Sequence, residues 1–336
     1  MNATRTAATI VFLLLAIVAT QANGKKESCS VAFYNLENLF DTIHDEGKND
    51  YEFLPKGKNS WDSKKYLGKI NNIATVISEI GNGNVALLGV CEVENENTLR
   101  ELLGHRHLSG RGLRYIHRES DDSRGVDCAL IYDPRQFTPC NTILVPYSDT
   151  VTRHRTRGYL VVSGKLLKEE VHVIVNHWPS RYSKSPSREY AAKRVKYLKD
   201  SITAVAPRSK IIIMGDFNDN PDNKSLKLCL EARRNISEVA SGNGLYNPWW
   251  DKLRREKQGS IKYRDKWQLY DQILLSGNLC DRSKGLQYDR CEIHCRRYMM
   301  NNEGNYAGYP KRSIAGGRWI AGYSDHLPVV VYLRGE

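Results

Sequence analysis

Beyond residue 24, the sequence lacks the features of several familiar protein classes. It has no apolar run long enough to cross a bilayer, so we expect no stable membrane insertion. It also has no internal repeat and no low-complexity linker, which excludes solenoid arrays and favours one domain over residues 25–336. The spacing of histidines and cysteines matches no familiar zinc finger. We therefore expect one soluble domain, and no protein partner is inferred.

The unbroken apolar run from Ile10 to Val18 lies at the extreme N-terminus. Arg5 precedes it, and the small and polar residues 19–24 follow it. This pattern is typical of a secretory signal and is too short for a membrane span. We expect residues 1–24 to be removed and the protein to be exported, either to a periplasm or out of the cell. A buried helix is the alternative, which the polar residues after position 24 disfavour.

Acidic residues are outnumbered by basic ones, and the formal net charge is +12 at pH 7. A basic surface favours polyanionic partners, although net charge indicates what a protein associates with and not which reaction it catalyses. The basic residues concentrate in two stretches. In the first, Arg181 to Lys199, helical spacing places Lys199 and its basic neighbours largely off the buried face, and an ordinary solvated face is the simpler interpretation. In the second, Trp249 to Trp267, cations alternate with aromatic residues, a pattern that binds phosphate backbones and stacks on bases.

Apolar periodicity predicts alternating strands and helices after the signal. The predicted helices are 63–80, 97–103, 181–199 and 225–232, and the predicted strands include 31–34, 85–91, 129–132, 159–162, 171–175, 211–214 and 267–275. Irregular structure is expected at 242–259, and a long polar loop is expected from Leu279 to Tyr323. Long loops of this kind usually carry specificity.

Two of the predicted strands adjoin short polar motifs. The apolar run 211–214 leads into Asp216 and Asn218, and Asp325 with His326 precedes the last strand. Because Asp216 and Asn218 are two residues apart, an extended backbone points them to the same side. Turn hydrogen bonds are the simpler interpretation of either motif taken alone.

Other predicted strands also carry a polar residue, which makes the simpler interpretation less economical. These residues are Asn35 after 31–34, Glu92 after 85–91, His177 after 171–175 and Asp271 within 267–275. Side chains at strand ends of one sheet reach a shared cleft. We therefore predict that the polar residues form one site.

At these positions the sequence resembles the endonuclease/exonuclease/phosphatase superfamily, which includes DNase I-like nucleases, inositol polyphosphate phosphatases and neutral sphingomyelinases. The resemblance is to an exported, bacterial-type endonuclease branch. The matching motifs are Tyr-Asn-Leu-Glu-Asn at Asn35, Cys-Glu-Val-Glu-Asn at Glu92, Asn-His-Trp-Pro-Ser-Arg at His177, Gly-Asp-Phe-Asn-Asp at Asp216 and Asn218, Tyr-Asp-Gln at Asp271, and Ser-Asp-His at Asp325 and His326. They follow the family's order and span nearly the whole mature chain. One departure is Cys91, where many relatives carry glutamine, but Glu92 is intact.

The resemblance implies an α/β (α+β) fold, a four-layer sandwich of two mixed β-sheets flanked by helices. It also implies a divalent-metal-dependent phosphoric ester hydrolase. Glu92 is then the principal metal ligand, with Asn35 and Asp325 nearby, directly or through water. Hard oxygen ligands favour Mg²⁺, with Mn²⁺ or Ca²⁺ as alternatives.

The resemblance assigns the catalytic work to five further side chains. Asp216 orients or deprotonates the attacking water, and Asn218 holds that water or a phosphoryl oxygen. His326 contacts the phosphate, and Asp271 behind it raises the pKa of the imidazole. His177 is the second phosphate-binding histidine.

The carboxylate partner of His177 is less clearly indicated. Glu119, in Arg-Glu-Ser-Asp-Asp, is the candidate that the sequence offers. A structural histidine without a catalytic role remains the simpler interpretation of His177 taken alone.

We expect an endonuclease that hydrolyses phosphodiester bonds of DNA or RNA, with nucleic acid as its partner. A phosphatase or a sphingomyelinase-like phosphodiesterase of the same superfamily is the first alternative. The lipid enzyme would need an apolar membrane-contact loop, whereas the predicted loop 279–323 is polar and basic. A non-catalytic secreted binding protein is the second alternative, but that class usually shows lost catalytic positions.

Overall fold

The computed structural model describes residues 28–149, 155–239, 243–281 and 285–335. The predicted signal peptide lies outside these residues and stays a prediction. The α-helices are α1 (Ser63–Glu79), α2 (Glu96–Gly104), α3 (Ser185–Val205) and α4 (Trp249–Arg254), and a π-helical turn covers Ser225–Cys229. Within the described ranges, no helix combines the length and the apolar character that crossing a bilayer would require.

The strands form two large sheets and two small hairpins. They are β1 (Ser28–Leu39), β2 (Val85–Val93), β3 (Arg114–His117), β4 (Asp127–Tyr132), β5 (Phe137–Ser148), β6 (Arg155–Leu166), β7 (Glu169–His177), β8 (Lys210–Asp216), β9 (Ala232–Arg233), β10 (Leu245–Tyr246), β11 (Ile261–Tyr263), β12 (Lys266–Gln268), β13 (Asp271–Ser276), β14 (Gln287–Ile293), β15 (Ile314–Ala315), β16 (Arg318–Trp319) and β17 (Val329–Arg334). The six-stranded sheet has the order β14-β17-β1-β2-β4-β3, and the seven-stranded sheet has the order β5-β6-β7-β8-β13-β10-β9.

The central strands are apolar on both faces because both faces are covered. In β1, Val31 and Phe33 pack between the two sheets, whereas Ala32 and Tyr34 pack beneath α1 and α2. On the second sheet, Ile212 packs between the sheets and the residues on either side of it pack beneath α3. Strands buried on both faces appear in the sequence as continuous apolar runs. The predicted four-layer arrangement of two mixed sheets flanked by helices is confirmed.

Strand direction brings the polar residues to one edge of the sandwich. β1 is parallel to β2, and β7 is parallel to β8, so their carboxyl ends lie together. His177 at the end of β7 is the register partner of Asp216 at the end of β8. β13 runs antiparallel and begins at this edge, with Asp271 opposite Asp216.

Several predicted elements differ from the structure. The stretch 242–259, expected to be irregular, contains β10 and α4, because β10 pairs with β13 and Trp249 of α4 is buried in the core. The predicted strand 267–275 is divided: β12 folds back onto β11, and a separate strand, β13, begins at Asp271. The division occurs where the backbone N–H of Leu269 donates to Asn220 Oδ1 instead of to a neighbouring strand. The predicted loop 279–323 contains β14, an edge strand that pairs with β17. Its mixed polar sequence lacks the apolar pattern by which the other strands were predicted. The predicted helix 225–232 is only the π-helical turn, because Ala232 pairs with β10.

The basic helix α3 begins at Ser185 instead of Arg181, with a proline in its first turn. Proline is tolerated there because its missing N–H has no partner in a first turn. Lys199 was expected off the buried face, but it is buried. Its ammonium donates to the backbone oxygen of Asn243 and pairs with Asp200, which satisfies the charge.

Candidate active site

Asn35, in the second half of β1, links the carboxylates of the two sheets. Its Nδ2 donates to Glu92 Oε1 at 3.3 Å and to Asp216 Oδ2 at 3.1 Å. Its Oδ1 accepts from the backbone N–H of Glu37 at 2.9 Å. In this orientation the amide N–H groups of Asn35 point toward the carboxylates and hold them in place. Asn35 therefore lies beside the predicted metal ligands and hydrogen-bonds to one of them, Glu92.

The backbone is strained where the strands meet the site. Glu37, Asn38, Glu92 and Asn218 have φ values of 50°, 54°, 61° and 51°, in the left-handed region that residues other than glycine seldom adopt. Each such conformation costs of order 1–3 kcal/mol unless contacts hold it. Here the N–H of Asn38 donates to Glu92 Oε2 at 2.8 Å, and the N–H of Asn218 donates to Asp216 Oδ1 at 2.9 Å. The strained backbone therefore fixes both carboxylates.

His326 forms a buried pair with Asp271. Its Nδ1 lies 2.6 Å from Asp271 Oδ2. Burial by itself lowers the pKa of His326, but the charge and hydrogen bond of Asp271, with smaller contributions from Asp216 and Asp325, raise that pKa well above its ordinary value. The other oxygen of Asp271 has no hydrogen-bond partner among the described residues. The structure thus brings the predicted pair together and makes the imidazole cationic.

His177 lies on the opposite side of the acidic groups and has a different environment. Its Nε2 is 3.8 Å from Glu92 Oε1 and 3.7 Å from Asp216 Oδ2, distances too long for hydrogen bonds. Its Nδ1 is buried and has no partner among the described residues. Burial, followed by the charges of Arg157, Arg124 and His326, lowers the pKa of His177 well below its ordinary value. His177 is therefore a neutral imidazole.

The predicted pairing of His177 with Glu119 is wrong. Glu119 Oε1 lies 4.0 Å from His117 Nε2, and that nitrogen is 3.0 Å from Asp127 Oδ2. The pair forms because β3 and β4 are adjacent antiparallel strands. The other oxygen of Asp127 accepts from the backbone N–H of Ser120 at 3.0 Å, so the group anchors the loop after β3.

Arg157 is a buried residue beside His177 that sequence reasoning missed. Its Nη1 pairs with Asp122 Oδ2 at 3.0 Å, and its Nη2 donates to the backbone oxygen of Trp178 at 2.9 Å. Asp122 also accepts from Thr156 Oγ1 at 2.7 Å. No local motif marks Arg157, which lies among alternating residues at the start of β6.

Arg312 is a second missed residue, and it contacts a predicted metal ligand. Its Nη2 lies 2.9 Å from Asp325 Oδ2, and its Nε lies 3.2 Å from Glu37 Oε1. Glu37 also pairs with the fully buried Lys69, whose Nζ is 3.4 Å from Glu37 Oε2, and accepts from Ser313 Oγ at 2.8 Å. The sequence placed Arg312 in a long loop with many other arginines, so nothing in the pattern distinguished it.

The acidic groups fit a hard divalent cation. Burial and the charge of Asp271 raise the pKa of Asp216 to about 7, and burial and the charge of Glu37 raise the pKa of Asp325 to about 6. Glu92 contributes to both increases, which shows that negative charge at the site is only partly compensated. Oxygen ligands of this kind suit Mg²⁺, Mn²⁺ or Ca²⁺. Glu92 and Asp325 would hold the ion, with Asn35 beside them.

Two cavities open beside the site, and the β11–β12 hairpin separates them. The first has a volume of about 520 Å³ and reaches Asp325, and the second has about 590 Å³ and reaches His326 and Asn218. Ile261 and Tyr263 line both cavities. The hairpin is therefore a wall shared by the two cavities of one cleft, which reaches Asp325, His326 and Asn218 among the predicted site residues.

Only the second half of the predicted basic and aromatic stretch borders this cleft. Trp249 is fully buried in the core, and its indole N–H donates to the backbone oxygen of Ile273. In α4 and just after it, Lys252 and Arg255 pair with acidic neighbours one turn away. The first half of the stretch does not border the cleft because Trp249 is buried, which turns α4 toward the core.

Comparisons with known proteins agree with this geometry. A sequence model described as "Endonuclease/Exonuclease/phosphatase family" matches residues 30–335. A comparison with curated proteins found no match. The structure is similar to the mannosyl-6-phosphatase Bt3783 of Bacteroides thetaiotaomicron, with a TM-score of 0.58, 18% identity and coverage of 91% of this chain and 99% of that chain.

Two TDP2 structures are also similar. Truncated Caenorhabditis elegans TDP2 gives a TM-score of 0.57 and 12% identity, and covers 91% of this chain and 97% of its own. D. rerio TDP2, complexed with a single-strand DNA product, gives a TM-score of 0.55 and 12% identity, and covers 91% of this chain and 98% of its own. At these identities the similarity shows the fold.

Proposed function

The chain belongs to the endonuclease/exonuclease/phosphatase family, and from that premise we propose that it is an exported, divalent-metal-dependent phosphodiesterase that cuts nucleic acid internally. One observation carries the proposal: in the buried His326–Asp271 pair, His326 Nε2 lies 3.9 Å from Asp216 Oδ2, and Asn35 donates to both Asp216 and Glu92. This arrangement combines a cationic donor, a carboxylate base and oxygen ligands. Phosphate ester hydrolysis requires the same three components.

Each side chain has a distinct task in the proposed reaction. Asp216, whose pKa is raised to about 7, accepts a proton from the attacking water as that water bonds to phosphorus. The bond from phosphorus to the leaving oxygen breaks in the same step, and the leaving oxygen takes a proton from solvent. Asn218 holds the water or a phosphoryl oxygen. His326 donates a charge-assisted hydrogen bond to a phosphoryl oxygen, and Asp271 keeps the imidazole protonated and oriented. A divalent cation, when bound by Glu92 and Asp325, supplies Lewis-acid stabilisation of the charge on the phosphate and leaving oxygen.

Charge and surface chemistry support nucleic acid as the substrate. The chain carries a formal net charge of +12, and the cleft wall includes Lys262 and Arg264 beside tyrosines. A polyanionic chain gains affinity from such cations by counterion release. The complex of the similar D. rerio TDP2 with a single-strand DNA product is consistent with this substrate class. Export is proposed from the apolar N-terminal run alone.

The direct test incubates the purified protein with supercoiled plasmid, single-stranded DNA and RNA in Mg²⁺, with EDTA as the metal-free arm. We expect nicked or shortened products in Mg²⁺ and none in EDTA. His326→Ala should lose the activity, whereas His107→Ala, at an exposed histidine outside both cavities, should retain it.

Other results would redirect the proposal. Cleavage in EDTA, or full activity of His326→Ala, would contradict the mechanism. Release of inorganic phosphate from sugar phosphates without nucleic-acid cleavage would favour a phosphatase, and release of phosphocholine from sphingomyelin vesicles would favour the lipid enzyme. No hydrolysis of any phosphate ester would favour a binding protein.

A further inference from the structure

The β11–β12 hairpin is attached directly to the reacting centre. Ile261 forms an isolated antiparallel bridge with His326, and the backbone N–H of Leu327 donates to the oxygen of Ser260 at 2.7 Å. Asp325 lines the cavity on one side of the hairpin, and His326 lines the cavity on the other. Because these two residues are neighbours, a phosphate held between them has a cavity on each side.

Both cavities carry aromatic rings that are exposed to solvent. Tyr263, in the shared wall, is 59% exposed, Tyr306 in the first cavity is 67% exposed, and Tyr182 in the second is fully exposed. Exposed rings that are grouped around one cleft form the kind of surface patch that marks a binding site. Stacking on nucleobases is such a function, and it tolerates any base sequence because every base has a π-face.

Cations lie against the tyrosines of each cavity. Lys262 Nζ is 4.7 Å from the centre of the Tyr309 ring in the first cavity. In the second, the Arg181 guanidinium is 5.4 Å from the centre of the Tyr270 ring and pairs with Asp219 at 3.0 Å. Arg264 lies 5.4 Å from the Tyr263 ring in the wall between them. Each side therefore offers a stacking surface, and Lys262 and Arg264 offer partners for a backbone phosphate.

Building on the proposed function, we propose that the substrate is single-stranded nucleic acid that crosses the β11–β12 hairpin, with nucleotides on both sides of the scissile phosphate. In a duplex each base face is covered by its neighbours, so the tyrosines can stack only on unpaired bases. The cleft is open at both sides of the reacting centre, so the strand needs no end near the site. The enzyme then cuts internal bonds and accepts a closed circle.

The test uses circular single-stranded DNA, which has no ends, beside a duplex circle of the same sequence and the small diester bis(p-nitrophenyl) phosphate. We expect Mg²⁺-dependent linearisation of the single-stranded circle, faster than cleavage of the duplex. The ratio of kcat/KM for the single-stranded circle to kcat/KM for the small diester should fall about tenfold in Tyr263→Ala, the loss of one base-stacking contact.

Matched variants make the assignment specific. Tyr263→Phe keeps the ring and should keep the ratio. Tyr197→Ala removes an equally exposed tyrosine, 62% exposed on α3 and stacked with Arg194, and should also keep it because α3 lies outside both cavities. Tyr306→Ala, in the first cavity, and Tyr182→Ala, in the second, should each lower the ratio.

The possible failures are distinguishable. Hydrolysis of the small diester with an intact single-stranded circle would overturn this inference and leave phosphodiesterase activity standing. Faster cleavage of the duplex, or an unchanged ratio in Tyr263→Ala, would also overturn it. No hydrolysis of any of the three substrates would overturn the proposed function itself.

Discussion

The two histidines of the site lie at the same edge of the sandwich, and their pKa values are shifted in opposite directions. His326 faces Asp271 at 2.6 Å, and the pKa of its imidazole is raised. His177 has no hydrogen-bond partner at Nδ1 among the described residues, and Arg157 helps to lower its pKa. The comparison teaches that the surroundings of each ring set the direction of its pKa shift: a hydrogen-bonded carboxylate for His326, and burial followed by the charge of Arg157 for His177.

The difference divides the site into two functional halves. In the proposed reaction, the His326 half supplies a charge-assisted donor to the phosphate, because the pKa of His326 is raised. In the His177 half the pKa of the imidazole is lowered, and Arg157, the charge that contributes most to this after burial, is already paired with Asp122. The family resemblance gave both histidines one role, phosphate binding, and did not distinguish their charges.

The largest expected effect comes from breaking the paired half. Asp271→Asn and His326→Ala should each lower kcat/KM on bis(p-nitrophenyl) phosphate by about 10²–10⁴-fold, because both remove the protonated, oriented imidazole. The double variant should lose little more than the worse single variant, since the two residues act as a unit. Steady-state kinetics measures these effects. Near-wild-type activity of Asp271→Asn would contradict the claim that Asp271 keeps His326 protonated and oriented.

The next effect is on stability in the other half. Arg157→Met should lower the free energy of unfolding by about 3–5 kcal/mol, because it leaves the carboxylate of Asp122 buried without its main partner. Asp122→Asn combined with Arg157→Met should recover part of the loss. Urea denaturation measures both. Arg155→Met is the matched control. Arg155 lies two residues before Arg157 and forms an exposed pair with Asp121, so its loss should change stability by about 0–1 kcal/mol. An equal loss in both arginine variants would contradict the assignment.

His294 tests whether burial alone keeps a histidine neutral. Both ring nitrogens are buried without partners among the described residues, and burial, followed by the charge of Arg296, lowers its pKa to about 4. The unfolded chain binds a proton near pH 6.5 and the folded chain does not, so this group's contribution to stability is lost as pH falls from 6.5 toward 4, by at most about 3 kcal/mol.

His294→Phe should remove that part of the acid sensitivity. Urea denaturation at pH 7 and pH 4.5 provides the measurement, and the difference between the two pH values should shrink in the variant. If wild type and variant lose stability equally, His294 has a partner that keeps it protonated, and the parallel with His177 fails.

The smallest expected effect is at His177. His177→Gln should lower kcat/KM only about tenfold, because a neutral imidazole contributes one ordinary hydrogen bond to the phosphate. The acid limb of the pH–rate profile should keep its position, because the lowered pKa of His177 places its protonation below the pH at which Asp216 takes up a proton. A loss as large as that of His326→Ala, or a shifted acid limb, would mean that both histidines act as cations.

The sequence by itself determined the strands and the residues at their ends. Apolar runs buried on both faces are long and unambiguous, and the polar residues that follow them, such as Asn35, Glu92 and Asp216, lie where parallel strands must deliver them. The resemblance added the pairing of Asp271 with His326, which lie 55 residues apart in the chain. These features are local in sequence, or are fixed by motifs, so they could be predicted.

Only the tertiary structure decided the charge states and the shape of the cleft. Arg157 and Arg312 carry no local pattern, and each acts through a partner distant in the chain, Asp122 or Glu37. Strands β12 and β13 were predicted as one strand, because the break between them depends on a hydrogen bond from Leu269 to Asn220, which is distant in the chain. A pKa depends on what packs around a group in three dimensions, and a linear sequence does not contain that information.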